Sequence, residues 1–278
     1  MQIRFIITVL LSSIFFFSCN IEKKIAEEYV AKFDSVPILI LEPEYCYMIN
    51  ANPNDIENLE EKSQEVKDSL LYANSNYVRF LEESIIRYVY LDSFFIELQN
   101  LGFVVYNSDS LAAFMTMGEH GYMINIAQMQ LLESLEQKVF SEVFDSLEHF
   151  VETSINRIDF DVWIELSELN AEENDMPMQL FYTSSSLYDE VNIRFHKKIL
   201  TQEVNYKKEY KPIEFTQIIS LTKQSGVSHA QAIFDFFLNQ YIDNNLPDNR
   251  KRKYSYSYNR KDEVFEKSKK IILKNMND

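Results

Sequence analysis

Glycine is nearly absent: Gly102, Gly118, Gly121 and Gly226 are the only four in 278 residues, where ordinary usage is about 7%. Few positions can therefore take a positive φ without strain, or let a phosphate approach the backbone closely. The chain has no Gly-rich phosphate loop and no Gly-x-Ser-x-Gly elbow of the serine hydrolases. Histidine is as scarce. His120, His149, His196 and His229 include no pair at the i, i+4 spacing of a helical metal site. Cysteine is limited to Cys19 and Cys46. Positive charge is short as well: 27 Lys and Arg against 43 Asp and Glu leave a formal net charge of −16. That balance argues against nucleic acid as a partner, because its phosphates would be repelled, and weakens any broad attraction to an anionic bilayer.

What is present begins with the amino terminus. Met1 to Arg4 is a short segment with one positive charge, and Phe5 to Phe17 is an apolar run relieved only by Thr8, Ser12 and Ser13. As a helix that run would reach about 20 Å, short of the roughly 30 Å hydrocarbon core of a bilayer. A short apolar run behind a basic start, ending at the small residue Ser18, reads as a cleaved export signal. With Cys19 next, the junction resembles the lipobox of bacterial lipoproteins, which implies that Cys19 becomes the first mature residue and carries the lipid. Phe16 and Phe17 stand where that pattern usually has Leu and a small residue, a departure that bears on cleavage efficiency rather than on export. Several acyl chains give a stable anchor. With Cys19 lipidated, Cys46 is alone and no intrachain disulfide can form. A buried small hydrophobe is the expectation for Cys46, ahead of a reactive thiol.

The remaining pattern predicts an α+β fold, a mixed β-sheet with helices packed mainly on one face. Residues 1–18 are read as signal peptide, 19–35 as a polar tether with helical character, 36–246 as one α/β domain and 247–278 as a basic extension. Val36 to Leu41 is a continuous apolar run of strand length. A helical pattern follows at about 54–76, outside the basic plan of the domain. A longer helix carries Leu81, Ile85, Tyr88, Leu91, Phe95, Leu98 and Leu101 at spacings of three and four, stopped by Gly102. Phe103 to Tyr106 is a short strand and 109–117 a helical turn. Tyr122 to Leu132, apolar on both faces at its start, suits a central strand. Residues 133–151 fit helix or strand equally. Ile158 to Leu166 alternates apolar and polar as a half-buried strand, pairing as a hairpin with 178–183. Val191, Ile193 and Phe195 form a further alternating run, and 203–206 is a weaker strand. Glu214 to Gln224 is helical, and Ser228 is read as the cap of a second helix through Ile242. In the extension, Tyr254, Tyr256 and Tyr258 alternate as an edge strand, and Val264 to Asn275 shows a narrow helical stripe.

The extension holds ten basic residues against five acidic ones, whereas residues 42–97 hold twelve carboxylates against four basic residues. Packing of the tail on its own acidic body is the plainer expectation; docking on an anionic surface, such as lipid headgroups, is the functional one. Among possible chemistry, Asp159, Asp161 and Glu165 form the best carboxylate group, since alternate strand residues share a face. Paired carboxylates can hold a hard cation or act as acid and base, but a solvated face is the simpler expectation. Trp163, the only Trp, lies on the same face and needs cover from a helix or partner. Glu119-His120 lies between two glycines in a loop, where one His beside one carboxylate is common by chance. Met123, Met129, Met176 and Met178 could suggest a soft-metal site, but the first two belong to an apolar strand and are more simply core. No catalytic residue, metal site or cofactor follows from these patterns.

The apolar strand after the tether, the helix ending at Leu101-Gly102-Phe103, the hairpin near Trp163 and Phe181, and the closing helix at Ala230 to Ile242 together resemble a fold of Gram-negative envelope lipoproteins. Similar arrangements occur in the accessory lipoproteins of ABC-type transport systems, the curli secretion lipoprotein and the N-terminal domain of the Tol-system protein TolB. Tyr122 to Met129 and Phe234 to Tyr241 resemble segments of uncharacterised lipoproteins of the same kind. The resemblance implies a non-enzymatic role in the envelope, as the partner of another protein or a transport complex, with self-assembly into a ring or pore as a further expectation. The alternative expectation is a carbohydrate-binding or hydrolytic protein using the strand carboxylates. Attachment to the outer membrane is the expectation for such a lipoprotein, facing the periplasm because Lys23-Lys24 gives no acidic run of the kind associated with surface display.

Overall fold

The computed structural model describes residues 21–33, 35–53, 56, 58–116, 121–169, 179–198, 200–268 and 274–275. The signal segment and Cys19 lie outside the described residues, as do Glu119, His120, Met176 and Met178. The described chain is α+β, with one mixed seven-stranded sheet and helices mainly over one face. Strand β1 (Pro37–Leu41) runs parallel to β3 (Val104–Tyr106) on one side and to β4 (Tyr122–Phe144) on the other. β2 (Tyr47–Asn50) extends the same edge of β4 in parallel. β4 continues antiparallel into β5 (Leu147–Glu168), then β6 (Gln179–Tyr188) and the short β11 (Lys274–Asn275).

The stretch that fitted helix or strand equally is strand. β4 and β5 stay paired over their whole length and turn at Asp145 and Ser146, both with positive φ (50° and 68°), the backbone a two-residue hairpin turn needs. Beyond Glu133 and Ile158 the hairpin leaves the helical core, and its distal 11 residues reach about 36 Å at normal strand rise. A second ribbon, β7 (Glu190–Lys197) with β8 (Val204–Lys211), runs beside this arm. Lys208 Nζ contacts Thr153, and Lys197 pairs with Asp145 at the tip.

Five α-helices are described. α1 is Ile21–Lys32, α2 Gln64–Ala73, α3 Glu83–Asn100, α4 Leu111–Met115 and α5 Phe215–Asn245. α3 ends where the glycine predicts: Gly102 has φ +96°, and Gly102 and Phe103 N–H close onto Gln99 and Leu98 carbonyls at 3.0 and 3.1 Å. Its buried stripe is Ile86, Tyr90, Leu91, Phe94 and Leu98, whereas Ile85 and Tyr88 face out. The helix is apolar nearly all round, so spacing alone could not choose between adjacent stripes.

α5 is one unbroken helix, so Ser228 lies in its interior and caps nothing. The break expected around Gly226 is absent because that glycine is the crossing point with α3. A Cβ on Gly226 would stand 2.2 Å from Ser93 Oγ and 2.6 Å from the Tyr90 carbonyl. Tertiary contact holds the helix through a stretch of low intrinsic propensity. The tether expectation also changes: residues 21–32 form a helix docked on α5, with Ile25 and Ala26 buried and Tyr29 against Phe234 and Tyr241.

The carboxy-terminal segment differs from expectation twice. Val264–Ser268 is strand β10, paired antiparallel with β9 (Ser255–Asn259), rather than helix. Five residues are too few for spacings of three and four to decide, and pairing with the edge of β9 makes them a strand. Nor does this hairpin sit on the acidic 42–97 stretch; it docks on α5. Asn239 donates to the Tyr256 carbonyl at 2.7 Å and accepts its N–H at 2.8 Å. Four residues earlier Asp235 accepts the Tyr258 N–H at 3.1 Å, and Gln231 donates to the Tyr258 carbonyl at 3.0 Å. One helix stripe thereby supplies the hydrogen bonds a neighbouring strand would give.

Candidate functional site on the open face of the sheet

Strand alternation sorts β5 into two faces. Ile158, Phe160, Val162, Ile164 and Leu166 are buried towards the helices. Arg157, Asp159, Asp161, Trp163 and Glu165 point the other way. The register places Gln130 beside Asp161, Gln128 beside Trp163 and Asn125 beside Glu165 on β4. From β6 it adds Tyr182, Ser184 and Ser186 opposite Trp163, Asp161 and Asp159.

The structure thus brings the three sequence-predicted carboxylates onto one face, but two of them are not solvated. Asp159 is 6% exposed and Asp161 4%. Their neighbours, not helices, hide them. Asp161 takes Gln130 Nε2 at 2.8 Å on one oxygen and the Tyr182 hydroxyl at 3.0 Å on the other. Asp159 takes Arg157 Nε at 2.8 Å and the Ser186 hydroxyl. Glu165, half-buried, takes Asn125 Nδ2 at 2.7 Å. The Asp159 hydrogen bond raises the Arg157 guanidinium above its ordinary range. Burial, with the Asp161 carboxylate adding to it, raises the Tyr182 phenol. These carboxylates serve as fixed acceptors that orient amide, hydroxyl and guanidinium groups. Asp159 and Asp161 each meet two donors and Glu165 one, so part of the acceptor capacity of each is spent on its neighbours. Trp163 and Tyr182 pack with ring centroids 4.9 Å apart, Tyr182 38% exposed and Trp163 half-buried.

Three buried acids escaped the sequence reading. Glu133, fully buried on β4, receives the N–H groups of Asn76, Tyr77 and Val78 at 2.7–3.1 Å. It fastens the loop before α3 to the sheet. Asp189, between β6 and β7, is the junction of body and arm. It accepts from Tyr77, Tyr210, Asn156 and the Ile213 N–H. Burial alone would raise its carboxyl; the hydrogen bonds, led by Tyr210, outweigh that and hold it below the ordinary range. Asp235 accepts Tyr258 N–H on one oxygen only, while the other is buried with no partner among the described residues, and burial pushes it up to about 7. An acid between Phe234 and Phe236 was the available sign for Asp235. Asp189, between Tyr188 and Glu190, gave none.

His229 is buried on α5 with Nδ1 3.0 Å from the Tyr90 hydroxyl, and burial lowers it to about 4. It is a neutral core group rather than a base for Ser228. Cys46 is 2% exposed, and burial raises its thiol to about 12. It packs as the small hydrophobe the sequence favoured. Among the described residues no helix is long and apolar enough to cross a membrane. No protein-family model matches this chain, and no curated protein matches it.

Proposed function

We propose that this is a lipid-anchored cell-envelope protein, tied to the outer membrane through Cys19, facing the periplasm and acting by binding rather than catalysis. The observation that carries the binding role is the open sheet face. Trp163 and Tyr182 sit beside amides and hydroxyls, and the nearby carboxylates are engaged as acceptors, which suits recognition of a partner in a fixed orientation. The anchor rests on the lipobox-like Ser18-Cys19 junction. It is supported by α1, which starts at Ile21 and is packed on α5, so a lipid two residues earlier would hold the body close to the bilayer. A transport or assembly complex of the envelope is the partner class the lipoprotein resemblance implies, and a second copy of this chain is the other.

The test pairs full-length protein with a Trp163→Ala/Tyr182→Ala variant, each carrying a photo-crosslinker at Gln128 in the native envelope. Wild type is expected to give one reproducible adduct that the double variant loses. The same adducts from both would remove this face from the proposal. A glycan is the second reading, favoured by the adjacent Trp163, Tyr182, Asn125 and Gln130, since sugars take stacking rings beside amide and carboxylate acceptors. If Asp161→Ala changes neither glycan affinity nor any hydrolytic activity, that reading falls.

A further inference from the structure

A cavity of about 490 Å³ opens where the start of α1 meets the carboxy-terminal hairpin, and four cations line it: Arg250, Lys251, Lys253 and Lys267. Ile21 and Glu22 complete the wall on the α1 side. None of the four cations forms an ion pair among the described residues, although their neighbour Arg252 does, with Asp243 at 3.0 Å. Arg252 also reaches Asn239, so it is the structural member of the Arg250-Lys-Arg-Lys253 run, while the residues around it are left to the cavity. Lys267 arrives from β10 and lies 5.7 and 5.5 Å from the Tyr254 and Tyr256 ring centres. The one carboxylate of the lining, Glu22, is held by the Lys253 N–H and the Tyr256 hydroxyl, both at 3.1 Å. It fixes the wall without neutralising the side chains opposite.

In a chain with net charge −16, four cations without an ion pair around one opening concentrate a positive potential that favours an anion entering the cavity. The position of the cavity says which anion. Two residues of extended chain span at most about 7 Å, so the Cys19 acceptor can lie no further than that from Ile21 on the rim. The geometry points to this cavity as a binding site for the phosphate of an anionic phospholipid headgroup in the bilayer that holds the anchor. This deepens the anchored reading and rests on it for the source of the phosphate. Arg250 supplies a planar fork for two phosphate oxygens, and the lysines supply compact point charges. Bound so, the headgroup fixes how the body stands on the membrane and leaves the Trp163 face for the partner.

The experiment measures binding of fluorescent phosphatidylglycerol and phosphatidylcholine to full-length protein in neutral detergent micelles. A preference for phosphatidylglycerol of up to about 600-fold is expected, each of the four cations near an anionic surface being worth about fivefold. Substitution of all four cations by Ser should abolish it. These side chains are exposed, and a companion variant with Lys251→Arg, Lys253→Arg and Lys267→Arg should keep it. Equal binding of the two lipids, or a preference that survives the fourfold Ser variant, overturns the site. Displacement of the lipid by inorganic phosphate at equal concentration overturns the headgroup in favour of a free anion. Failure of the anchor reads out elsewhere, as unchanged envelope fractionation of Cys19→Ser.

Discussion

The two faces of the large sheet hide neighbouring residues by different means. Phe160 and Asp161 are adjacent on β5 and similarly inaccessible, at 0% and 4%. Phe160 is covered by helices and packs on Tyr90 with ring centroids 5.4 Å apart. Asp161 is covered by side chains of its own sheet, which donate to it from both sides. The first kind of burial is the apolar core that holds the fold together. The second removes a charge from water and returns hydrogen bonds of similar strength, so its net contribution is small. What it provides is order: Gln130, Tyr182, Arg157 and Ser186 are held in place on a part of the face that none of the described helices is seen to cover.

Substitution separates the two faces. Phe160→Ala should cost about 4 kcal/mol, from lost transfer energy and a cavity in rigid surroundings. Urea unfolding with an unchanged m-value is the measurement, and a loss below about 1 kcal/mol would contradict a helix-packed face. Asp235 gives the next effect and sharpens the comparison, as a carboxylate on the helical side with only one oxygen served. Its folded value, raised to about 7, lies above its unfolded one, so its contribution is present below about pH 4 and lost as pH rises through 7. Asp235→Asn should therefore gain on wild type across that interval, by up to about 4 kcal/mol at its upper end. Thermal melts of both proteins at stepped pH test this, and parallel curves would refute it. The smallest effect is expected on the open face. Asp161→Asn keeps the shape and an acceptor for Tyr182, and should cost about 1 kcal/mol in the same urea assay.

The arm and the body differ in the same sense. Glu133 and Asp189 are buried acids that bind backbone N–H groups and phenols at the places where loops join the sheet. Beyond them Val139, Val143, Leu147 and Phe150 stand more than 60% exposed on the distal hairpin. Apolar side chains without a layer to cover them mark where the core ends.

Much of this was legible in the residues. The strand pattern at Ile158 to Leu166, the stop at Gly102, the hairpin with β6 and the fate of Cys46 follow from local alternation, a positive φ and the chemistry of a lone thiol. The candidate face was legible as a set, because alternation alone puts Asp159, Asp161, Trp163 and Glu165 on one side of a strand. Its solvation was misread, since the donors come from Gln130, Tyr182 and Ser186 on other strands, and register is a long-range quantity. The same distance in sequence explains the other corrections. Gly226 and Ser228 carry the local signature of a break, and only the crossing with α3 overrides it. Residues 264–268 are too short a piece of the helical stripe to fix their own structure, and only pairing with the β9 edge makes them a strand.

The sequence by itself determined charge, the α+β class and which residues share a strand face, because composition and period are properties of neighbours in the chain. The tertiary structure alone decided which acids are buried, that α1 is docked rather than free, and that Arg250, Lys251, Lys253 and Lys267 gather beside the start of α1. Those facts depend on segments from about twenty to more than two hundred residues apart meeting through packing and hydrogen bonds, and no local pattern encodes that meeting.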